Sequence, residues 1–529
     1  MTGAPPPPAL LDGGPLPPHP VTTLGEALVR AARGPHGVTL IDGTGAATLL
    51  PYARLYGNAL RAAAGLRAAG VDRGVAVVVT TTRPAELLTG FWACVLAGAL
   101  PLPVPPGGRE ETALAASAAG ARLFLGDAPP GGLPPGLRPL GPVDGLHGGA
   151  GVPDSGALPD GTALLTLTSG SGGVPKAVPL THRNVLGRAR ATALARGLDA
   201  TSRTLNWMPL DHVSGIVMFH VRDVFLGCRQ THADTAWVRE DPLRWMDLAS
   251  TGRIDTTWAP NHAFARVAER LEDEPVERGW DLTRLRYVMN GGEAVKDRVA
   301  RRFLAALAPY GLPPGALHPG WGMPETSSGV VDSVYTPHDG PPRRYVSVGV
   351  PHPGVAVRVV DEEGELLGRG DLGRVQVRGV PVAQHLMTGG RLRPAPLTDD
   401  GWLVTDDLGY VADGELTVTG RADDLIEAGG RRYHGHEIEE AVDRLGCVHP
   451  SFTVVRGYGP APGGAAALAV FFRPRAGTDP EEAGRRVREH LRQHFGATVD
   501  HLEALAEDDL PRTPTGKLRR SALTARLPG

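Results

Sequence analysis

The sequence predicts an α/β protein with a large multi-layered N-terminal domain, which contains a β-rich subdomain, and a small α+β domain at the C-terminal end. The run GVAVVVTTT is continuously apolar and β-branched, which is typical of a strand buried on both faces. Helical stretches such as Pro84 to Ala97 alternate with short apolar runs such as ARLFLG and ALLTLTSG. This alternation favours a layered domain built on parallel strands.

The N-terminal domain is expected to end at Gly420. We expect a flexible Pro-rich leader over residues 1–20, mainly helix from Thr23 to Ala69, and a surface connection from Asp127 to Pro159, where Gly and Pro are frequent. From Tyr345 to Gly420, short alternating strands separated by turn residues predict the β-rich subdomain.

The C-terminal domain is predicted to cover residues 421–529, which leaves residues 1–420 for the N-terminal domain. Its expected elements are a helix that begins near His436, strands at 452–455 and 466–472, and a charged helix at 480–495. A chain of 529 residues exceeds what one hydrophobic core usually organises, which agrees with a division into domains.

The composition argues against several classes of function. A formal net charge of −3 supplies no basic field that would attract nucleic acid or anionic lipid. The most apolar stretch, Leu87 to Pro105, is interrupted by glycine and closed by prolines, so we interpret it as a buried helix and strand. Because a secretory signal and CxxC spacings are both missing from the sequence, we expect a cytoplasmic protein.

The strongest chemical signal is the segment TLTSGSGGVPKAV, where a predicted strand ends in a loop of Ser, Thr and Gly that closes on Lys176. Small residues let backbone N–H groups approach phosphate oxygens, and a lysine neutralises their charge. A Walker A loop is excluded, because Pro175 precedes the lysine and Ala177 follows it. Taken alone, the segment could still be a plain flexible loop.

Six motifs in order resemble the signatures of the acyl-adenylate-forming (ANL) superfamily. TSGSGGVPK is similar to TSGSTGxPKG, NGGEAV resembles a strand-end loop beside adenine, and WGMPET resembles YGxTE. GWLVTDDLGYV, GRADDLIEAGG and PRTPTGKLRR resemble GWxxTGDxG, GRxDDxIxxxG and PxTxxGKxxR. The sequence around MPLDHVSG is most similar to the fatty acyl-AMP ligase-like and acyl-CoA synthetase-like branch that loads carrier proteins.

The resemblance implies the ANL fold, in which a mobile C-terminal lid rotates between two half-reactions, with ATP and Mg²⁺ as cofactors. Trp321 would stack on adenine, Asp407 and Arg421 would bind the ribose, and Glu325 would hold magnesium. The implied nucleotide-binding set is Thr168, Ser169, Gly170, Ser171, Lys176, Gly291, Gly292, Glu293, Trp321, Gly322, Met323, Asp407 and Arg421.

The implied catalytic residues are Lys517, Glu325 and His212. Lys517 would be the mobile lysine that bridges the carboxylate and the α-phosphate, and Asp423 would be the hinge between the domains. Without the other motifs, we would interpret Lys517 as an ordinary solvated surface lysine.

Three positions depart from the family pattern. Gly172 and Pro324 replace residues that usually carry a hydroxyl, so we expect weaker phosphate binding without its loss. Asp406 replaces a glycine and adds a charge near the predicted ribose contact.

The substrate pocket is expected around Asp211, Val213, Trp258 and Asn261. Val213 stands where amino-acid-activating relatives carry an aspartate for the α-amine, so the resemblance disfavours an α-amino acid. His212 matches a gate residue. Trp258 and Asn261 could equally be packing residues of the core.

These features predict activation of a fatty or other non-α-amino carboxylic acid, then transfer to a phosphopantetheine thiol of an acyl carrier protein in specialised-metabolite biosynthesis. Because few residues follow Lys517, the carrier is expected in trans. One alternative is an acyl- or aryl-CoA ligase that uses free CoA. Another is a catalytically degenerate protein that binds nucleotide or a partner, although retention of Glu325, Asp407, Arg421 and Lys517 argues against it.

Overall fold

The structure is a computed structural model that describes residues 7–148, 156–169, 175–273, 278–460, 466–506, 509–513, 518 and 520–527. The helices are α1 Leu24–Ala32, α2 Tyr52–Ala68, α3 Pro84–Ala97, α4 Arg109–Ala119, α5 His182–Arg196, α6 Arg222–Leu226, α7 Thr235–Glu240, α8 Arg244–Thr251, α9 Asn261–Asp273, α10 Asp297–Leu307, α11 Gly435–Asp443 and α12 Pro480–Phe495, with a π-helical segment at Ser214–Val221.

The strands of the first half of the chain are β1 Leu10–Asp12, β2 Gly37–Ile41, β3 Ala47–Pro51, β4 Ala76–Thr80, β5 Leu100–Pro103, β6 Leu123–Gly126, β7 Arg138–Gly141, β8 Thr162–Ser169, β9 Pro175–Thr181, β10 Arg203–Asn206, β11 Arg229–Ala233 and β12 Thr256–Ala259. Those of the second half are β13 Tyr287–Gly291, β14 Leu317–Met323, β15 Ser328–Asp332, β16 Val350–Pro351, β17 Val355–Val360, β18 Gly373–Gly379, β19 His385–Thr388, β20 Arg391–Pro394, β21 Leu403–Ala412, β22 Glu415–Arg421, β23 Leu425–Ala428, β24 Arg431–His434, β25 Val448–Pro460, β26 Ala466–Pro474 and β27 His501–Ala504.

The largest sheet has the order β16-β15-β14-β13-β12-β10-β11-β2-β3. Its inner strands β14, β13, β12, β10, β11 and β2 pair in parallel. The carboxyl ends of β12, β13 and β14 lead directly to Asn261, Gly292 and Glu325. Since parallel strands end at the same edge of a sheet, this topology brings three distant segments together.

Two antiparallel sheets supply the other walls of the same region. The sheet β1-β17-β18-β21-β22 carries Asp407 on β21 and Arg421 on β22, and the sheet β20-β19-β9-β8 carries Thr168 and Lys176. A smaller parallel sheet has the order β5-β4-β6-β7. The mixed α/β fold class predicted from the sequence is confirmed.

The elements predicted from strong patterns agree with the structure. Helices α3 and α12 have the predicted bounds, and the run GVAVVVTTT contains β4, whose five residues are all buried. The stretch predicted as buried helix and strand contains the end of α3 followed by β5. Within the described residues, no helix is both long enough and apolar enough to span a bilayer.

Two predictions made from weaker patterns are wrong. The described part of the run ALLTLTSG lies in β8, which pairs antiparallel with β9 instead of joining a parallel sheet. The region Thr23 to Ala69 is mainly helical, as predicted, but it also contains β2 and β3, because β2 finds a parallel partner in β11 from far along the chain. The connection from Asp127 to Pro159 contains the short strand β7, which pairs in parallel with β6 and whose residues are exposed or half-buried.

The other correction concerns the leader. Ala9 is fully buried, and its backbone N–H donates to the Leu367 carbonyl at 2.8 Å. Strand β1 then pairs antiparallel with β17 and covers the edge of the five-stranded sheet. The described part of the leader, from residue 7, is therefore an edge strand and not a flexible arm. Residues 1–6 lie outside the described part of the chain.

The C-terminal elements pack around cores of their own. Two hydrophobic clusters, one around Ile438, Val470 and Leu491 and one around Phe471 and Leu523, contain described residues from position 426 onwards only. The expected helix near His436 is α11, and the expected strands are parts of β25 and β26. The boundary between residues 420 and 421 stays a prediction.

Removal of residues 1–13 should destabilise the protein, because it uncovers the edge of β17 and breaks the backbone bonds of Ala9 and Gly13. These two residues make three such bonds, so at about 1 kcal/mol for each net hydrogen bond we expect the free energy of unfolding to fall by roughly 3 kcal/mol. Denaturant unfolding followed by circular dichroism measures this loss. Removal of residues 1–6 alone is the control, and an equal effect of both truncations would contradict the assignment of β1.

Candidate active site

A cavity of about 620 Å³ opens at the edge where β12, β13 and β14 end, and residues of β21, β22 and α11 form its opposite wall. The sequence-predicted residues that line it are Thr168, Lys176, His212, Val213, Trp258, Asn261, Gly292, Glu293, Trp321, Gly322, Met323, Glu325, Asp407 and Arg421. Asp211, Gly291 and Asp423 are not part of the lining. The side chain of Ser169, together with Gly170, Ser171 and Lys517, lies outside the described residues, as does Gly172.

Asp407 and Arg421 face each other because their strands pair in register. They are direct partners in the β21–β22 ladder, immediately before the two strands diverge. Burial raises the pKa of Asp407, while its contacts with Trp321 and Arg421 oppose that shift. The enclosed carboxyl of Asp407 and the half-exposed guanidinium of Arg421 thus form one polar corner of the cavity.

Trp321 holds Asp407 from the other sheet. Its indole N–H donates to Asp407 Oδ2 at 2.7 Å, and only 8% of the residue is exposed. Trp321 lies at the end of β14, next to the β-bulge between Trp321 and Gly322. This hydrogen bond joins the nine-stranded sheet to the five-stranded sheet, and the sequence did not indicate it.

The extra carboxylate Asp406 is neutralised by arginines. Arg421 Nη2 lies 3.1 Å from Asp406 Oδ2, and Arg374 approaches the other oxygen at 3.7 Å. Arg421 also binds Asp423 Oδ1 through Nε at 3.1 Å. Burial favours the neutral form of Arg421, but Asp423, Asp407 and Asp406 outweigh it and raise the pKa of the guanidinium.

Glu325 lies in the short 3₁₀ turn Pro324–Thr326. The Thr326 hydroxyl accepts from the Met323 N–H at 2.9 Å and donates to the Ser328 carbonyl at 2.7 Å, which fixes the turn from inside. Two non-glycine residues after it, Ser327 and Ser328, have φ of 57° and 106°. Such backbone strain persists only where the surrounding structure enforces it, and it often accompanies a functional site.

Thr168 and Lys176 are direct partners in the antiparallel pairing of β8 with β9. Burial raises the pKa of Glu325, whereas a hydrogen bond from Thr168 and the charges of Lys176 and Arg421 favour its ionised form. A carboxylate beside a lysine and an arginine suits the charge distribution of a nucleotide phosphate with its cation.

The residues present fit a magnesium ion that arrives with the nucleotide. Mg²⁺ usually takes one or two carboxylates and completes its shell with phosphate oxygens and water. Glu325 offers one such carboxylate at the cavity wall. The described residues contain no cluster of three or more His, Cys, Asp or Glu that would form an all-protein metal cage.

The loop after β13 runs close to neighbouring backbone. A Cβ on Gly291 would lie 2.5 Å from the Gly320 carbonyl oxygen, so the position requires glycine, and Gly292 has φ of 78°. Glu293 accepts from the His262 N–H at 2.8 Å. Asn261 Oδ1 accepts from the Lys296 N–H at 3.1 Å, so this side chain fixes the loop as well as lining the cavity.

Another group of lining residues is less polar. Val213 and Trp258 are buried, and Met218 belongs to the π-helical segment. His212 Nδ1 lies 2.7 Å from the Ser214 hydroxyl, which orients the imidazole. Burial raises the pKa of the neighbouring Asp211 to about 7.

Lys296 is a cavity residue that the sequence analysis missed. Its ammonium lies 3.0 Å from Asp443 Oδ2 on α11. Lys296 follows the NGGEAV motif directly, and that position could have marked it as a loop lysine. Its partner is 147 residues away, so nothing in the sequence pointed to the pair.

Comparisons with known proteins agree with this geometry. The family described as AMP-binding enzyme matches residues 28–387. Atromentin synthetase of Tapinella panuoides is 28% identical over 485 residues, which cover 86% of this chain and 51% of that protein. The chain therefore spans about half the length of this curated relative.

Two solved structures are also similar. The structure of McyG A-PCP complexed with phenylalanyl-adenylate has a TM-score of 0.87 and 28% identity, covering 98% of this chain and 84% of the other. A multidomain structure of a keto acid-selecting nonribosomal peptide synthetase module has a TM-score of 0.87 and 31% identity. The match covers 98% of this chain and 47% of that one. The assignment to the fatty acyl-AMP ligase-like branch stays a prediction.

The match over most of the chain and the shared fold identify the family. The chain belongs to the AMP-binding enzyme family and is an adenylating enzyme of the ANL superfamily.

Proposed function

We propose that this protein joins a carboxylic acid without an α-amine to AMP at the expense of ATP, releases pyrophosphate, and passes the acyl group to the phosphopantetheine thiol of a carrier protein. The observation that carries the proposal is one cavity that gathers Lys176, Trp321, Glu325, Asp407 and Arg421 from four separate segments. Because burial of charged groups is costly, the packing of an ordinary hydrophobic core does not explain why these four charged side chains meet beside Trp321.

The proposed chemistry is a displacement at the α-phosphate. A carboxylate oxygen of the acid forms the new bond to phosphorus, and the bond to the β-phosphate oxygen breaks as pyrophosphate leaves. Bound Mg²⁺ would neutralise charge on the phosphate oxygens. Lys176 and Lys517 supply further positive charge, which stabilises the transition state more than the ground state because charge on the α-phosphate oxygens grows during the step.

Asp407 and Arg421 would position the nucleotide. A carboxylate accepts hydrogen bonds from two hydroxyls at once, so Asp407 suits a ribose. Its Oδ2 already accepts from Trp321, and that bond keeps the carboxyl oriented when the nucleotide is absent. Preorganised groups of this kind lower the reorganisation that binding would otherwise require.

Two observations support an acid without an α-amine. Val213 occupies the position where the resemblance would require an aspartate, and its neighbours in the lining, His212 and Ser214, bring no carboxylate. One of the similar solved structures is a keto acid-selecting module, 31% identical to this chain. Cavity residues Met218, Trp258 and Met289 add apolar surface for the acyl group.

The proposed acceptor is a carrier-borne thiol, which is supported by similarity to a peptide synthetase module and to an A-PCP structure. Supply of the carrier in trans, the separate lid domain and the hinge at Asp423 stay predictions. Free CoA is the alternative acceptor.

Pyrophosphate release tests the proposal. The protein is incubated with ATP, Mg²⁺ and a panel of 2-oxo, aryl, aliphatic and α-amino acids, with CoA, a carrier protein or neither. We expect release with an acid that has no α-amine, and stimulation by carrier protein but not by CoA. If no acid in the panel causes pyrophosphate release, adenylation is contradicted. Stimulation by CoA alone would indicate a CoA ligase.

Trp321→Phe should weaken nucleotide binding, because it removes the indole N–H that holds Asp407. We expect the KM for ATP to rise about 5- to 10-fold, the equivalent of roughly 1 kcal/mol for one net hydrogen bond, with a smaller change in kcat. Trp280→Phe is a matched control. The Trp280 indole N–H donates to Asp247 Oδ1 over 2.8 Å, and neither residue lines the cavity. Equal KM values for the two variants would remove the role given to Trp321.

Lys517→Ala should lower the rate of adenylation by at least about 100-fold and leave transfer from preformed acyl-adenylate nearly intact, because the ammonium acts only on the first transition state. Single-turnover assays of the two half-reactions measure this difference. Arg526→Ala, which removes an exposed cation paired with Glu503, is the control. Similar losses in both half-reactions would show that Lys517 has a different role.

A further inference from the structure

A buried ion pair joins the loop after β13 to helix α11. Lys296 Nζ lies 3.0 Å from Asp443 Oδ2, with 15% and 9% of the two side chains exposed. The Lys296 backbone N–H donates to Asn261, at the edge of the nine-stranded sheet. One residue thus links the wall of the cavity to an element whose own core lies in the C-terminal region.

The acidic side of the pair is held in place by the neighbouring strand. Asp443 Oδ1 accepts from the Thr453 hydroxyl at 2.7 Å, and Glu439, one helical turn earlier, accepts from the Val455 N–H at 3.1 Å. Residues four apart lie on the same face of a helix, so both carboxylates face the same side of α11.

Glu439 extends the linkage toward the C-terminus. Its two oxygens bind Arg520 at 2.9 and 2.8 Å, a bidentate arrangement that fixes direction as well as distance. Arg520 lines the cavity and lies three residues after Lys517 in the sequence. Burial opposes the ionised form of Glu439, but Arg520 and Lys296 outweigh it and lower its pKa.

The charges of this group depend on one another. Burial favours the neutral form of Lys296, yet Asp443 and Glu439 outweigh it and raise the pKa of the ammonium. A buried ion pair adds little net stability, but removal of one partner leaves an uncompensated charge, so such pairs specify one geometry. The nearby pair Arg344–Glu437 has an arginine side chain that is 61% exposed, so it constrains the geometry less.

We propose that Lys296, Asp443 and Glu439 form an ionic latch that docks α11 on the loop after β13 and thereby holds Arg520 at the cavity for adenylation. These are positioning residues, and none of them is assigned to a reacting atom. The latch rests on the proposed function. It assigns roles to residues outside the six motifs and predicts that adenylation and thiol transfer depend on them unequally.

The first test separates the two half-reactions. We expect Lys296→Met and Asp443→Asn each to lower the single-turnover rate of adenylation at least about 10-fold, with less than about a 3-fold change in transfer from preformed acyl-adenylate. Lys296→Arg, which keeps the charge, should lower the rate of adenylation less than Lys296→Met does. Arg444→Met is the matched control, because it removes an exposed cation from the residue next to Asp443.

A double variant tests whether the two residues act as one contact. Lys296→Met with Asp443→Asn should be no slower in adenylation than the slower single variant, since either change alone breaks the latch. Losses that multiply, or equal losses in both half-reactions, would overturn the proposal. The equal losses would indicate a general effect on folding.

A distance measurement tests the latch without any substrate acid. The native cysteines Cys94, Cys228 and Cys447 are buried, so spin labels can be directed to Arg54→Cys on α2 and Arg485→Cys on α12, both exposed positions. We expect one narrow distance distribution for the parent protein and a broader or shifted one for Lys296→Met. An unchanged distribution would overturn the latch. If the parent protein releases no pyrophosphate with any acid, the proposed function fails. The distance measurement still shows whether Lys296 docks α11 on the loop after β13.

Discussion

The parallel register of β12, β13 and β14 is the constraint on which the site depends. Each strand is followed within a few residues by a polar group that lines the cavity, namely Asn261, Gly292 with Glu293, and Glu325. Parallel pairing aligns the carboxyl ends of the strands, so the three segments meet although they are far apart in the chain. The strained turn at Ser327 and Ser328 then sends the chain back antiparallel along β15.

The second half of the site comes from a different kind of pairing. Antiparallel strands β21 and β22 place Asp407 opposite Arg421, so a partly buried carboxylate lies beside a cation with only a short stretch of chain between them. Asp406, Arg374 and Asp423 complete a surface network in which each charge has an opposite partner. The Trp321–Asp407 hydrogen bond then fixes the distance between this network and the parallel sheet.

Polar contacts at the cavity join separate elements of the fold. Trp321 and Asp407 link two sheets, and Lys296 and Asp443 link the nine-stranded sheet to α11. Buried polar contacts of this sort are directional and fail sharply when one partner is lost, whereas apolar contacts tolerate sliding. A site assembled from several units therefore gains its geometry from a small number of hydrogen bonds and ion pairs.

The sequence by itself determined the family, the α/β class and the local elements with strong patterns, such as α3, β4 and α12. Most of the site residues that the sequence suggested do line the cavity, because their motifs are short and their spacing is local. The tertiary structure decided which strands pair: β8 with β9 in antiparallel, β2 with a remote β11, and β1 with β17. It also decided the Trp321–Asp407 and Lys296–Asp443 contacts, since a partner 86 or 147 residues away leaves no trace in local periodicity.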